Sequence, residues 1–148
     1  MKLSWLAVLL VISLLLNVWF IIKLSGTVEE TQIADQLNAM LNETSQLIVY
    51  DMDDESIPRL EQTLKLTMSS AHAYRNESEY AAEVWHQSSI LHELLYMQIN
   101  EEHLISTIDG ETRQEMALII MDAVEEGTIQ EIEESITQLI ADDHPILD

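Results

Sequence analysis

Apolar positions along this chain follow two regimes. From Trp5 to Ile22 they run almost unbroken, interrupted only by Ser13 and Asn17. Beyond Gly26 they recur at intervals of three and four, the period of an amphipathic helix. As a helix, Trp5 to Ile22 rises roughly 27 Å and Leu3 to Leu24 about 33 Å, against a hydrocarbon core of about 30 Å. A cleavable signal has a shorter apolar region, about 7–15 residues, followed by a small-x-small site. A cut after Gly26 would place Leu24 at the −3 position, a poor fit, and Trp5 and Trp19 stand near the two ends, where interfacial tryptophans belong. The run therefore predicts a two-residue tail (1–2) and an uncleaved, single-pass transmembrane signal-anchor helix over 3–24 in the cell membrane. The N-terminus is expected in the cytoplasm and the remainder outside it. Ser13 and Asn17, four apart, share one face and are the candidates for an in-membrane helix contact.

Residues 25–142 predict an acidic helical bundle, with 143–148 as a tail. A first helix starts at Thr27, where Thr27 and Glu30 have capping-box spacing, and carries Ile33, Leu37, Met40, Leu41 and Ile48 as far as Tyr50. A second starts near Ser56, with Pro58 tolerated in its first turn, and carries Leu60, Leu64, Met68 and Ala71. Asn76 and Glu79 repeat the capping spacing ahead of a long third helix, about 79 to 105, with Ala81, Val84, Trp85, Ser88, Leu91, Leu95 and Ile99 along one side. Asp109 is placed to cap a fourth helix. Its apolar residues, Met116, Leu118, Ile119, Ile120, Ala123 and Val124, surround much of its circumference and predict a central position. Gly127 is a stop, and Thr128 with Glu131 opens a last helix carrying Ile129, Ile132, Ile136, Leu139 and Ile140. With three glycines and two prolines in 148 residues, turns are few. The expected fold class is all-α: a transmembrane helix followed by an up-and-down bundle of four to five amphipathic helices.

Charge narrows the partners. The chain has 27 acidic and 6 basic side chains. Lys2 and Lys23 flank the apolar run, leaving four cations against all 27 acids beyond it, a net of −23. Such a field repels phosphate backbones and argues against nucleic-acid binding, while basic partners and cations suit it. Cysteine is absent, which removes disulfides, a thiolate nucleophile and cysteine-based zinc sites.

Three constellations touch known chemistry without completing it. His92-Glu93-Leu94-Leu95-Tyr96 has the start of a zinc-protease helix, but Tyr96 stands where the second imidazole belongs. Glu83-x-x-His86 has di-iron bundle spacing, but its nearest counterpart, Asn100-x-x-His103, lacks the carboxylate. Asp51-Met-Asp53-Asp54-Glu55-Ser56 opens like a calcium loop, yet Ser56 replaces the glycine of the sixth position and Gln62 the acid of the twelfth. Asp51, Asp53, Asp54 and Glu55 are left as candidates for weak cation contact. No catalytic residue, cofactor site or strong metal site is assigned, and no enzyme activity is expected. The sequence points to a membrane-anchored interaction or regulatory module for a partner protein or membrane complex, with a homo-oligomer left open. The alternatives are an acidic surface protein with a structural or weak cation-binding role, and an accessory sensor.

Overall fold

The structure, a computed structural model of the chain, describes the backbone of residues 2–50, 55–99 and 101–143; side chains are described over the same residues except 2–11, 14, 21–25, 27–29, 142 and 143. It is mostly helical. Helices α1 (Lys2–Val49), α2 (Ser56–Tyr74) and α3 (Glu79–Leu95) are followed by a two-stranded hairpin, β1 (Gln98–Ile99) and β2 (Glu102–His103). The short α4 (Leu104–Thr107), then α5 (Gly110–Glu126), a 3-10 turn (Ile129–Glu131) and α6 (Ile132–Asp143) complete the chain. It divides into two units, Met1–Ile33 and Ala34–Asp148.

The second unit is a helical bundle. Leu37, Leu41 and Ile48 of α1, Leu60, Leu64 and Ala71 of α2, and Ala81, Val84, Leu91 and Leu95 of α3 are buried at helical spacing. On α5 and beyond, Met116, Ile120, Ile129, Ile132, Ile136 and Ile140 are buried likewise. Removal of such stripes from water is the main force holding the bundle together. Two of the polar side chains inside it are satisfied within their own helix. Thr44 and Thr67 donate their hydroxyls to the carbonyls of Met40 and Thr63, four residues back.

Helices α2 and α3 form an antiparallel pair. The turn between them is closed by the amides of Glu77 and Ser78, both 2.9 Å from the Tyr74 carbonyl. Ser78, not Asn76, caps α3, its hydroxyl accepting from the Ala81 amide. At the far end of the pair the Tyr96 hydroxyl donates to the Ile57 carbonyl at 2.7 Å. Asp109 caps α5 as expected, accepting from the amides of Glu111 and Thr112 at 2.7 and 3.1 Å. Gly127 ends that helix in the left-handed region at φ 75°, where a Cβ would be strained. Thr128 makes no side-chain cap at the next turn. Gln87, reaching across from α3, does that work: its carbonyl oxygen accepts from the Glu133 amide at 2.9 Å, and its Nε2 donates to the Gln130 carbonyl at 3.1 Å.

The first helix does not start at Thr27, because α1 runs unbroken from Lys2 to Val49 through Gly26, and, beyond this and the two caps above, three expectations are corrected. The third helix stops at Leu95, not near 105, because Gln98 and Ile99 pair antiparallel with His103 and Glu102, and the Leu104 amide closes on the Met97 carbonyl at 2.9 Å. Glu101 turns this hairpin with φ 75°, a conformation costing an L side chain roughly 1–2 kcal/mol. Second, α5 is not surrounded: Leu118 and Met121 are exposed. Third, the single-pass membrane placement, with a cytoplasmic N-terminus and an extracytoplasmic bundle, loses its support. Among the described residues no helix is long and apolar enough to cross a membrane. A span needs about 20 consecutive apolar residues, and the described side chains of the 3–24 run are Ile12, Ser13 and those from 15 to 20. Its side chains at 3–11, 14 and 21–24, and Thr27 of the first capping pair, lie outside the described residues.

Candidate functional site

Charge on the second unit is sorted by element. Its lysines and arginines are Arg59, Lys65, Arg75 and Arg113. Arg59 and Lys65 are exposed on α2, and Arg75 follows at its C-terminal cap. Arg113 of α5 is buried and donates to the Ile108 carbonyl at 3.0 Å. The outward surfaces of α5 and α6 are therefore acidic with no lysine or arginine among them.

On α5 that acidic surface surrounds apolar side chains. Leu118 is 55% and Met121 47% exposed. Glu111, Glu115, Asp122, Glu125 and Glu126 are exposed on the same helix, and residues three and four apart are neighbours on a helix surface. Glu115 and Asp122 thus flank Leu118, and Glu125 follows Met121. A branched aliphatic and a flexible thioether beside unopposed carboxylates suit a partner that offers cations around an apolar anchor. On α6, Gln130, Glu133, Glu134, Thr137, Gln138 and Ala141 line a shallow polar groove.

A second cluster lies where α2, α3 and the hairpin meet. His92 stacks on Tyr96 with ring centroids 5.1 Å apart, and His103 meets the same ring edge-on at 5.2 Å. The His103 Nδ1 lies 3.1 Å from the Tyr96 carbonyl, so this nitrogen carries the proton it donates. His92 Nε2 is 3.7 Å from a carboxylate oxygen of Glu61, which is bonded to Lys65 one turn on. The Lys65 bond, opposed by some desolvation and helped by the charge of His92, holds the Glu61 carboxyl below its ordinary range. Burial pushes the Tyr96 phenol up, with the nearby Glu61 charge adding to it. At the other end of the pair, Arg75 lies over the Trp85 ring at 5.0 Å and meets His72 Nδ1 at 3.0 Å.

The sequence candidates are placed as follows. His92 and Tyr96 do come together, but Tyr96 spends its hydroxyl on the Ile57 backbone. Glu83 accepts from Gln87 Nε2, and His86 is exposed. Among the described residues no three histidines or carboxylates are grouped to hold a metal ion. Asp51, Asp53 and Asp54 lie outside the described residues, while Glu55 is exposed at the N-terminal cap of α2. Ser13 and Asn17 are exposed on α1. The α5 face is missed because Leu118 is read as part of an apolar circumference and Met121 is left out of it; the acids at 115, 122 and 125, each three or four residues from one of the pair, are the available signal. The chain matches no protein-family model, no curated protein and no solved structure.

Proposed function

We propose that this chain is a helical interaction or regulatory module for a protein partner, acting without catalysis, and that the outer face of α5 receives a basic amphipathic segment of that partner. The observation that carries the reading is the exposure of Leu118 and Met121 among carboxylates, on a helix whose one cation is buried. An apolar anchor contributes affinity there, while the surrounding charge contributes association rate and selectivity.

A synthetic amphipathic peptide, lysine on one face and leucine on the other, serves as the probe in a calorimetric titration of the full chain. Binding is expected to weaken as salt rises, because exposed charges are screened, and to be lost in Leu118→Asp/Met121→Asp with the helical circular dichroism unchanged. Equal binding by the double variant overturns the assignment of this face.

A further inference from the structure

The apolar side chains of α1 call for a partner of a different kind. Ile12, Leu15, Leu16, Val18, Trp19 and Phe20 are 47–64% exposed, and Ser13 and Asn17 are exposed among them. At about 3.6 residues per turn, Ser13, Leu16, Asn17 and Phe20 share one side, and Ile12, Leu15, Val18 and Trp19 another. The unit Met1–Ile33 consists of the first part of α1, and a helix gains most of its stability from packing its apolar side chains against something else.

Whatever covers the Asn17 side must also take up its amide. An apolar covering leaves two N–H donors and a carbonyl unpaired, at a cost that grows with burial. An amide is its own complement, since it both donates and accepts. Two copies of α1, parallel and in register, bring Asn17 against Asn17 and the Ser13 hydroxyls together one turn away. No charged residue occurs from 12 to 20, so the acidity of the rest of the chain does not oppose contact along this stretch. A single asparagine in an otherwise apolar seam is a known device for setting register and copy number.

We propose that the chain self-associates in parallel with a second copy through the Ser13, Leu16, Asn17 and Phe20 side of α1. This surface is separate from the α5 face, so either assignment can fail while the other stands.

Because the chain has no cysteine, single cysteines placed in the full chain report contacts without background. Cysteines at 13, 16 and 20 are compared with cysteines at 12, 15 and 19 under mild oxidation, each variant first checked by circular dichroism. The first set is expected to form disulfide-linked dimer several-fold faster than the second. In an Asn17→Leu background the contrast is expected to collapse, and in Asn17→Gln to persist. A flat profile, as a covering by amphiphile or by an unrelated protein would give, overturns the proposal, as does a contrast that survives Asn17→Leu. Sedimentation of the unmodified chain, density-matched to any bound amphiphile, gives an independent reading: a dimer or larger assembly supports the proposal and a monomer sinks it.

Discussion

Helices α2 and α3 bury Leu60, Leu64, Leu91 and Leu95 beside Thr63, Thr67, Ala71, Ala81 and Ser88, and α5 and α6 bury Met116, Ile120, Ile136 and Ile140 beside Thr112, Ala117 and Ala123. Both pairs thus have aliphatic cores, and they differ in how they are fastened: the first is closed at its open end by a directional bond, Tyr96 to Ile57. The second pair is held at its ends by the Asp109 side-chain cap, the left-handed Gly127 and the Gln87 side-chain amide from α3. The outsides differ in the same division, with Arg59, Lys65 and the Arg75–Trp85 contact toward α2 and α3, and only carboxylates, neutral polar groups and apolar side chains outward on α5 and α6. The apolar face left open, Leu118 with Met121, lies on the pair whose outward surface carries no lysine or arginine.

The largest expected effect lies in the core of the second pair. Ile136 is fully buried, so Ile136→Ala should cost about 2–5 kcal/mol, combining lost transfer energy with the cavity left behind; urea unfolding by circular dichroism measures it. Gln87 comes next. Gln87→Leu keeps approximate volume but strands the Glu133 amide and the Gln130 carbonyl, for about 1–3 kcal/mol. The same unfolding curve reads this loss, and hydrogen exchange should localise it to the start of α6. A loss spread evenly over α2 and α3 would contradict the cap.

Tyr96→Phe addresses the first pair, where a single bond is removed and about 0.5–1.5 kcal/mol is expected. Its pH dependence is more telling. Burial raises the Tyr96 phenol, and it pushes Tyr80 up to about 12, so the folded chain prefers both rings neutral. A pKa raised on folding contributes stability that is complete below the unfolded value, near 10, and lost as pH climbs past it. Stability should therefore fall above about pH 10, less steeply in Tyr96→Phe, with Tyr80 supplying the remaining slope.

Much of the bundle is legible along the chain. Leu60, Leu64 and Ala71, or Ile129, Ile132, Ile136 and Ile140, are spaced at three and four and end up buried together, because burial of one face is what that spacing encodes. Asp109 and Gly127 are legible for local reasons: each acts on the backbone within a few residues of itself. The hairpin is not, since Met97 to His103 contains neither glycine nor proline, and what reverses the chain is pairing of Gln98 and Ile99 with residues still to come. Gln87 as a cap for α6 is illegible for the same reason; its partners lie more than forty residues away. Exposure of Leu118 and Met121 depends on which side of α5 the other helices occupy, and a helix apolar over most of its circumference does not announce that side. In the candidate sites, the motif around His92 was visible as an incomplete metal helix, but its use as a ring stack between α2 and the hairpin required the fold.

The smallest expected effect sharpens the comparison from the acid side. Asp109 is exposed, and its carboxyl is held below its ordinary range by the Thr112 hydroxyl at 2.8 Å, then by the Thr112 and Glu111 amides. A carboxyl depressed on folding contributes stability that is present above its unfolded value, near 3.9, and lost as pH falls through the folded one. Acidification below about pH 4 should thus loosen the start of α5, while the α2–α3 turn, capped by the Ser78 hydroxyl, lacks this titration. Asp109→Asn retains an accepting oxygen and should flatten the acid limb without changing stability much at neutral pH; Asp109→Ala should lower stability at both. Amide exchange at Glu111 and Thr112, followed from neutral to acid, separates the cases. If these amides keep their protection in acid while those of Ala81 and Ala82 lose it, the cap attribution is wrong, and the two helix starts do not differ as their capping groups imply.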